Sequence, residues 1–212
     1  MISHALSIIR KELQAHLSDV YVNVPSDKVQ LGNLSEGLGT GGNGSPVVPR
    51  DKLVLSLVNY REDNALKNGP HYVRNDIALT ATYENPPVFL NFLIMVSATH
   101  GNYTNALTDL SRAIRFFQAR RVFTQNDVDP ASLIASELDA TDLLTSFKLI
   151  FDIYSPSLEE VNHLWGTLGG KQYPFFLYVM RMLDLKFRWV QRESGLISEV
   201  DSRFAHKQPV GT

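Results

Sequence analysis

Ser157-Leu158-Glu159-Glu160-Val161-Asn162-His163-Leu164-Trp165-Gly166-Thr167-Leu168-Gly169-Gly170-Lys171 is the stretch whose reading decides how the chain is organised. Ser157 is a good N-cap, and Glu160 three residues on completes a capping-box pattern. Leu158, Val161, Leu164, Trp165 and Leu168 recur at three- and four-residue steps, which predicts one apolar stripe on a short helix. Gly169-Gly170 stops that helix, Lys171 complements its C-terminus, and Pro174 forbids continuation. Asn162, His163, Trp165, Gly166, Gly169 and Gly170 therefore read as a structural motif, a packing device set between two strand-like runs.

Chemical readings of the same stretch fail on spacing. A phosphate loop needs a glycine six residues before its lysine and a hydroxyl after it; here those positions hold Trp165 and Gln172. Glu159 and His163 share a helical face, but there is no HExxH and two ligands do not make a metal site. No cofactor or metal site is expected.

Working outward, residues 2–17 place Ile2, Leu6, Ile9, Leu13 and Leu17 on one helical stripe. Lys28–Asn33 reads as a short strand. From Gly32 to Pro49 there are six glycines and two prolines, so residues 35–49 are expected to be a mobile loop, either a linker or an arm that orders against a neighbour. Lys52–Arg61 is a strand, Glu62–Arg74 a polar loop, and Ile77, Leu79, Ala81 and Tyr83 alternate like a strand. Val88–Ala98 is apolar on both faces, the pattern of a central strand covered on both sides. Asn102 caps a helix whose stripe is read as Tyr103, Ala106, Leu107, Leu110, Ile114 and Phe117, with Phe116 widening it. Thr141–Ile153 alternates as one strand, with Leu149, Phe151 and Ile153 on its apolar side, and Phe175–Val190 as another that is long enough to bend or leave its sheet partway. The sum is an α+β fold: a mixed, largely antiparallel sheet of about five or six strands packed with three main helices. Residues 1–192 are expected to form a single domain and 193–212 a tail.

Composition narrows the function. The 212 residues are 44% hydrophobic, sufficient for a real core. Lysine plus arginine is 20 and aspartate plus glutamate 22, a net charge of -2 that gives no support to nucleic-acid binding. Cysteine is absent, so there are no disulfides or thiolate metal sites. The first residues run into a charged amphipathic helix, and no apolar run reaches the roughly 18 residues of a membrane span. Synthesis and assembly are accordingly expected in the cytoplasm. Charge is nonetheless segregated along the chain. Arg112, Arg115, Arg120 and Arg121 lie in a segment without acids, and Asp127, Asp129, Glu137 and Asp139 follow in an acidic one. These read either as intramolecular pairs or as two halves of a head-to-tail contact between copies.

Several of these segments together resemble a known family. They are Leu31-Gly32-Asn33, KLVLSLVNY at 52–60, Asn85-Pro86-Pro87-Val88, LSRAIRFFQ at 110–118 followed by Phe123-Thr124, and NHLWGTLGGKQYP at 162–174. The series is similar to the cap family of contractile injection systems, the phage-tail-like particles of the antifeeding-prophage type, over about residues 2–192. The resemblance implies a tail terminator: a homo-hexameric ring at the end distal to the baseplate, ending tube and sheath polymerisation and anchoring the sheath, then carried in the particle. It implies no catalysis and no cofactor. Longer relatives have a further C-terminal region. The competing class is an enzyme with a site assembled from dispersed residues such as His71, Glu84, His100 and His163.

Overall fold

The computed structural model describes residues 1–36, 48–65, 72–85, 87–170, 172–185, 190–196 and 199–202. Among the described residues four helices accompany two sheets: α1 (Ile2–Val20), α2 (Tyr103–Ala119), the one-turn α3 (Pro130–Leu133) and α4 (Leu158–Thr167). The main sheet is built from β1 (Val29–Leu31), β2 (Leu53–Glu62), β5 (Val88–Ala98), β6 (Val122–Thr124), β7 (Lys148–Tyr154) and β8 (Phe175–Leu185) in the order β1-β2-β5-β8-β7-β6. Among the described strands only the β1–β2 pair is parallel. A small second sheet, absent from the sequence reading, orders β3 (Tyr72–Asn75), β4 (Thr80–Glu84) and β9 (Val190–Gly195) as β3-β4-β9. The α+β class and the mixed, largely antiparallel sheet are as expected.

Alternation along the central strands sorts side chains between two cores. Leu53, Leu55, Ile94, Val96, Tyr178, Met180, Leu149 and Phe151 face α1 and α2 in the larger core. Val54, Met95 and Leu177 face the other way, into a smaller core closed by Trp165 of α4. β5 is apolar on both faces because it sits between helices on either side, next to β2 and β8. Phe117 of α2 stacks on Phe151 with ring centroids 5.0 Å apart and lies 4.6 Å from Tyr178, fixing α2 over β7 and β8.

Four expectations need correction, and a fifth, on the longest strand-like run, is met. The buried face of α2 is Ala106, Asp109, Leu110, Ala113, Phe116 and Phe117, whereas Tyr103, Leu107 and Ile114 are exposed. The helix approaches the core through its two alanines, and an apolar arc this wide does not locate its own centre. Leu158 likewise points to solvent from the first turn of α4. The strand read over 141–153 starts only at Lys148, because a 3₁₀ turn at Ala140–Asp142 and hydrogen bonds from Leu144 and Phe147 to side chains replace strand pairing before it; Ile153, placed on its apolar side, is exposed. The segment read as a loop to Arg74 includes β3, while Ile77 and Leu79 form an exposed turn ahead of β4, with Leu79 at φ 49. Finally β8 ends at Leu185 and the chain re-enters as β9 on β4, so the long run leaves its first sheet partway as its length suggested.

Residues 37–47 of the expected glycine-rich loop, and Lys171, lie outside the described residues. The loop's two ends are not free: Ser35 and Glu36 belong to a 3₁₀ turn, and Leu34 and Val48 are both buried in the core beneath Trp165.

Candidate functional site

The motif around Trp165 is built as its residues dictate. Ser157 Oγ accepts from the Glu160 N–H and the Glu160 carboxylate accepts from the Ser157 N–H, the reciprocal capping box. At the other end Gly169 and Gly170 take φ 89 and 77, and the Gly170 N–H reaches back to the Trp165 carbonyl at 2.7 Å. That bond closes the helix in the left-handed turn that favours glycine. Trp165 is 5% exposed and packs edge-on to Phe175 and Tyr173. Asn162 and His163 face outward and Gly166 is exposed. The motif is a lid on the smaller core.

Beside that lid lies a groove of about 610 Å³, between α4 and the outer halves of β2, β5 and β8. The strands lining it are irregular, with register shifts at Leu57/Asn59 between β2 and β5 and at Leu90/Phe92 between β5 and β8. His163 lines the groove, with Tyr154, Glu160, Arg61 and Arg181. Its charges answer one another: Tyr154 Oη donates to Glu160 at 2.7 Å and Arg181 pairs with Asp152 at 3.1 Å. The Ser157 N–H and then the Tyr154 hydroxyl hold the Glu160 carboxyl below its usual range, and the same bond raises Tyr154.

A second polar constellation sits where β1, β2 and α2 meet. The buried Asp109 carboxylate takes Lys28 Nζ at 2.7 Å, His100 Nε2 at 3.0 Å and Arg112 at 3.2 Å. Lys28 also approaches His100 Nε2 at 2.8 Å. Burial, then the Lys28 cation, lowers the His100 pKa against the pull of Asp109. The cluster ties the start of β1 to α2, and the His100 ring lies in it rather than near His163. Thus the dispersed residues of the enzyme alternative are not assembled: His71 and the Glu84 side chain lie outside the described residues, and the two other members belong to different places. Among the described residues no group of three or more histidines and carboxylates is arranged to hold a metal, and no helix is long and apolar enough to cross a membrane.

The structure divides the segregated charges into two sets. Arg112 lies 4.3 Å over the Tyr21 ring while pairing with Asp109, and Arg120 donates to the buried Glu12 at 2.6 Å and to the Asp127 carbonyl. Glu12 also accepts the Asp129 N–H at 2.9 Å, and Asp129 caps α3. Asp127 accepts from Thr124. These residues hold α1, α2 and α3 together. Arg115 and Arg121 are exposed, as are Glu137 and Asp139, and none of the four has a side-chain partner among the described residues. Only this second set is available to another molecule. Sequence reasoning missed the residues beside it, since Tyr103, Leu107 and Ile114 were assigned to the core and Ile134, 65% exposed after α3, was assigned nothing.

The chain belongs to the family of the Pvc16 N-terminal domain, whose sequence profile matches residues 5–199. Two solved structures share its fold. One is the sheath/tube terminator of an extracellular contractile injection system, PVC, in its extended state, with TM-score 0.59, 12% identity and 100% of this chain covered. The other is the tube-terminating cap of the anti-feeding prophage, with TM-score 0.53, 13% identity and 94% covered. The chain spans 65% and 60% of those two proteins. No curated protein matches it.

Proposed function

We propose that the chain is the structural cap of a contractile injection system, a terminator that closes the tube and sheath at the end distal to the baseplate. The observation that carries this reading is the shared fold over all of this chain with a sheath/tube terminator, joined to this chain's membership of the Pvc16 N-terminal domain family. The working form is a ring of copies, six if it follows the symmetry of the particle end, seated on the last layers of tube and sheath. Neither catalysis nor a cofactor is needed for that role, and the particle carries the protein after assembly in the cytoplasm. The rigid features of the fold suit it: a six-stranded sheet braced on both faces, ion pairs that tie α2 to α1 and to the start of β1, and a hydrogen bond from Asp129 to Glu12 that holds the start of α3 on α1. The test is expression of tube, sheath and baseplate with and without this chain. Tails of one length with the chain, and a broad length distribution with unanchored sheath without it, are the expected results. Particles of unchanged length and stability in its absence overturn the reading.

A further inference from the structure

The flank of α2 turned away from α1 carries an apolar line left exposed among the described residues. Asp109, Arg112, Phe116 and Arg120 make the contacts toward Lys28, Tyr21, His16 and Glu12, so the α1 side of the helix is occupied. On its other side Tyr103, Leu107 and Ile114 follow at helical spacing, 66%, 44% and 38% exposed. α2 lies over β7 and β8 through Phe117, and on that same face of β7 Ile153 is 59% exposed two residues beyond the buried Phe151. Helix flank and strand end together make an apolar ledge. Arg115 stands on the outer surface of the same helix. Arg121 hydrogen-bonds through its carbonyl to the Phe151 N–H, which puts it beside β7 at the ledge's lower end.

The chain also presents the complement of this ledge elsewhere. After α3, Ile134 projects with Glu137 and Asp139 close behind it in sequence, all exposed. This knob is held on α1: Lys11 Nζ donates to the Ile134 carbonyl at 2.5 Å, and His4 Nε2 donates to the Leu133 carbonyl at 2.9 Å. An apolar tip with two acids matches an apolar ledge with two arginines, and among the described residues neither patch is met within one chain. We infer that the ledge of one copy receives the Ile134 knob of the next, with Arg115 and Arg121 answering Glu137 and Asp139. Two different patches on each copy give a head-to-tail contact, the kind that closes into a ring by rotation. Exposed apolar residues rimmed by charge supply area, while the charges set register and partner. The inference rests on the proposed cap reading for its ring, and it deepens that reading by naming the surface.

Charge exchange tests it on the full chain by sedimentation velocity. The wild-type protein is expected to form species larger than a dimer as concentration rises. R115E/R121E places acids against the acidic knob, and E137K/D139K places lysines against the basic ledge. Each variant alone should lose self-association by about tenfold or more, because like charges then face one another. Mixing the two in equal amounts restores opposite charges at both contacts and should recover assembly, which also shows that both variants are folded. A wild-type chain that stays monomeric, a variant that assembles as well as wild type, or folded variants whose mixture does not recover each overturns the inference. So does a ledge variant that still self-associates but no longer binds sheath or tube, since the ledge would then serve those proteins. Particle length measured with the same variants separates the two ideas: normal length with R115E/R121E leaves the cap standing and removes this surface.

Discussion

Trp165 shows how a single side chain closes a core and what that closure costs. It fills the space between Leu34, Val48, Val54, Met95 and Leu177, yet its indole N–H is buried without a hydrogen-bond partner among the described residues. Truncation in W165A should destabilise by about 3–5 kcal/mol, from lost burial plus the cavity left behind. W165F keeps most of the ring and removes the unsatisfied donor, so it should cost less than about 2 kcal/mol. Urea denaturation of the three proteins checks both numbers, and W165F as damaging as W165A contradicts the account. His100 makes a prediction about pH. Its folded pKa lies below the unfolded value of 6.5, so the fold prefers the neutral ring. That contribution is fully present above pH 6.5 and is lost as the pH falls toward the folded pKa. Melting temperatures measured from about pH 7.5 to about 5.5 should fall more steeply for wild type than for H100Q. Parallel curves would mean that His100 does not contribute.

At the scale of the element, α4 and α1 hold their places by different physics. The end of α4 depends on backbone conformation. Gly169 and Gly170 sit at positive φ, so G169A or G170A should cost about 1–2 kcal/mol through strain alone. Gly166 lies within the helix, and a methyl there would meet nothing within 4 Å. G166A should therefore raise stability by about 0.5–1 kcal/mol, the helix propensity difference. Opposite signs for neighbouring glycines in thermal melts are the check. α1 depends on buried polar bonds. Glu12 joins Arg120 and the Asp129 N–H, and E12A leaves a partly buried guanidinium and a backbone donor without their acceptor. A loss of about 3 kcal/mol is expected, with α3 exchanging its amide hydrogens faster than α2.

For the whole molecule, the division of charge matters more than its sum. A net charge of -2 conceals pairs that are spent inside the helix layer and a residual set that faces outward. Self-association that uses Arg115, Arg121, Glu137 and Asp139 is screened by salt, because these groups are exposed. Raising sodium chloride from about 50 mM to about 500 mM should weaken assembly while leaving the melting temperature of the isolated chain nearly unchanged. Assembly that strengthens with salt would assign the contact to apolar area alone. The ends of the glycine-rich segment are anchored by Leu34 and Val48 under Trp165, so the lid of α4 and that segment share one core. Loosening Trp165 should therefore speed amide exchange at Val48 as well as in α4.

Local chemistry determined a good deal without help from the fold. The capping box of α4, its double-glycine stop, the Asn102 cap of α2 and the two-faced character of β5 follow from rules that act over a few residues, and the structure has them all. The α+β class follows from the order of such elements, and the family from motifs strung along most of the chain. Contacts made at long range lay beyond local rules. The face of α2 that would be buried was ambiguous because its apolar arc is wide, and only docking against α1 and β8 chose Phe116 and Phe117 over Tyr103, Leu107 and Ile114. β3 has four exposed residues and no apolar pattern, so only its pairing with β4 makes it a strand. Among the charges, which arginines were spent and which were free depended on partners 108 residues away in one case, Glu12 with Arg120. Periodicity reports what a segment could bury; the partner across space decides what it does bury, and hence which residues remain for another molecule.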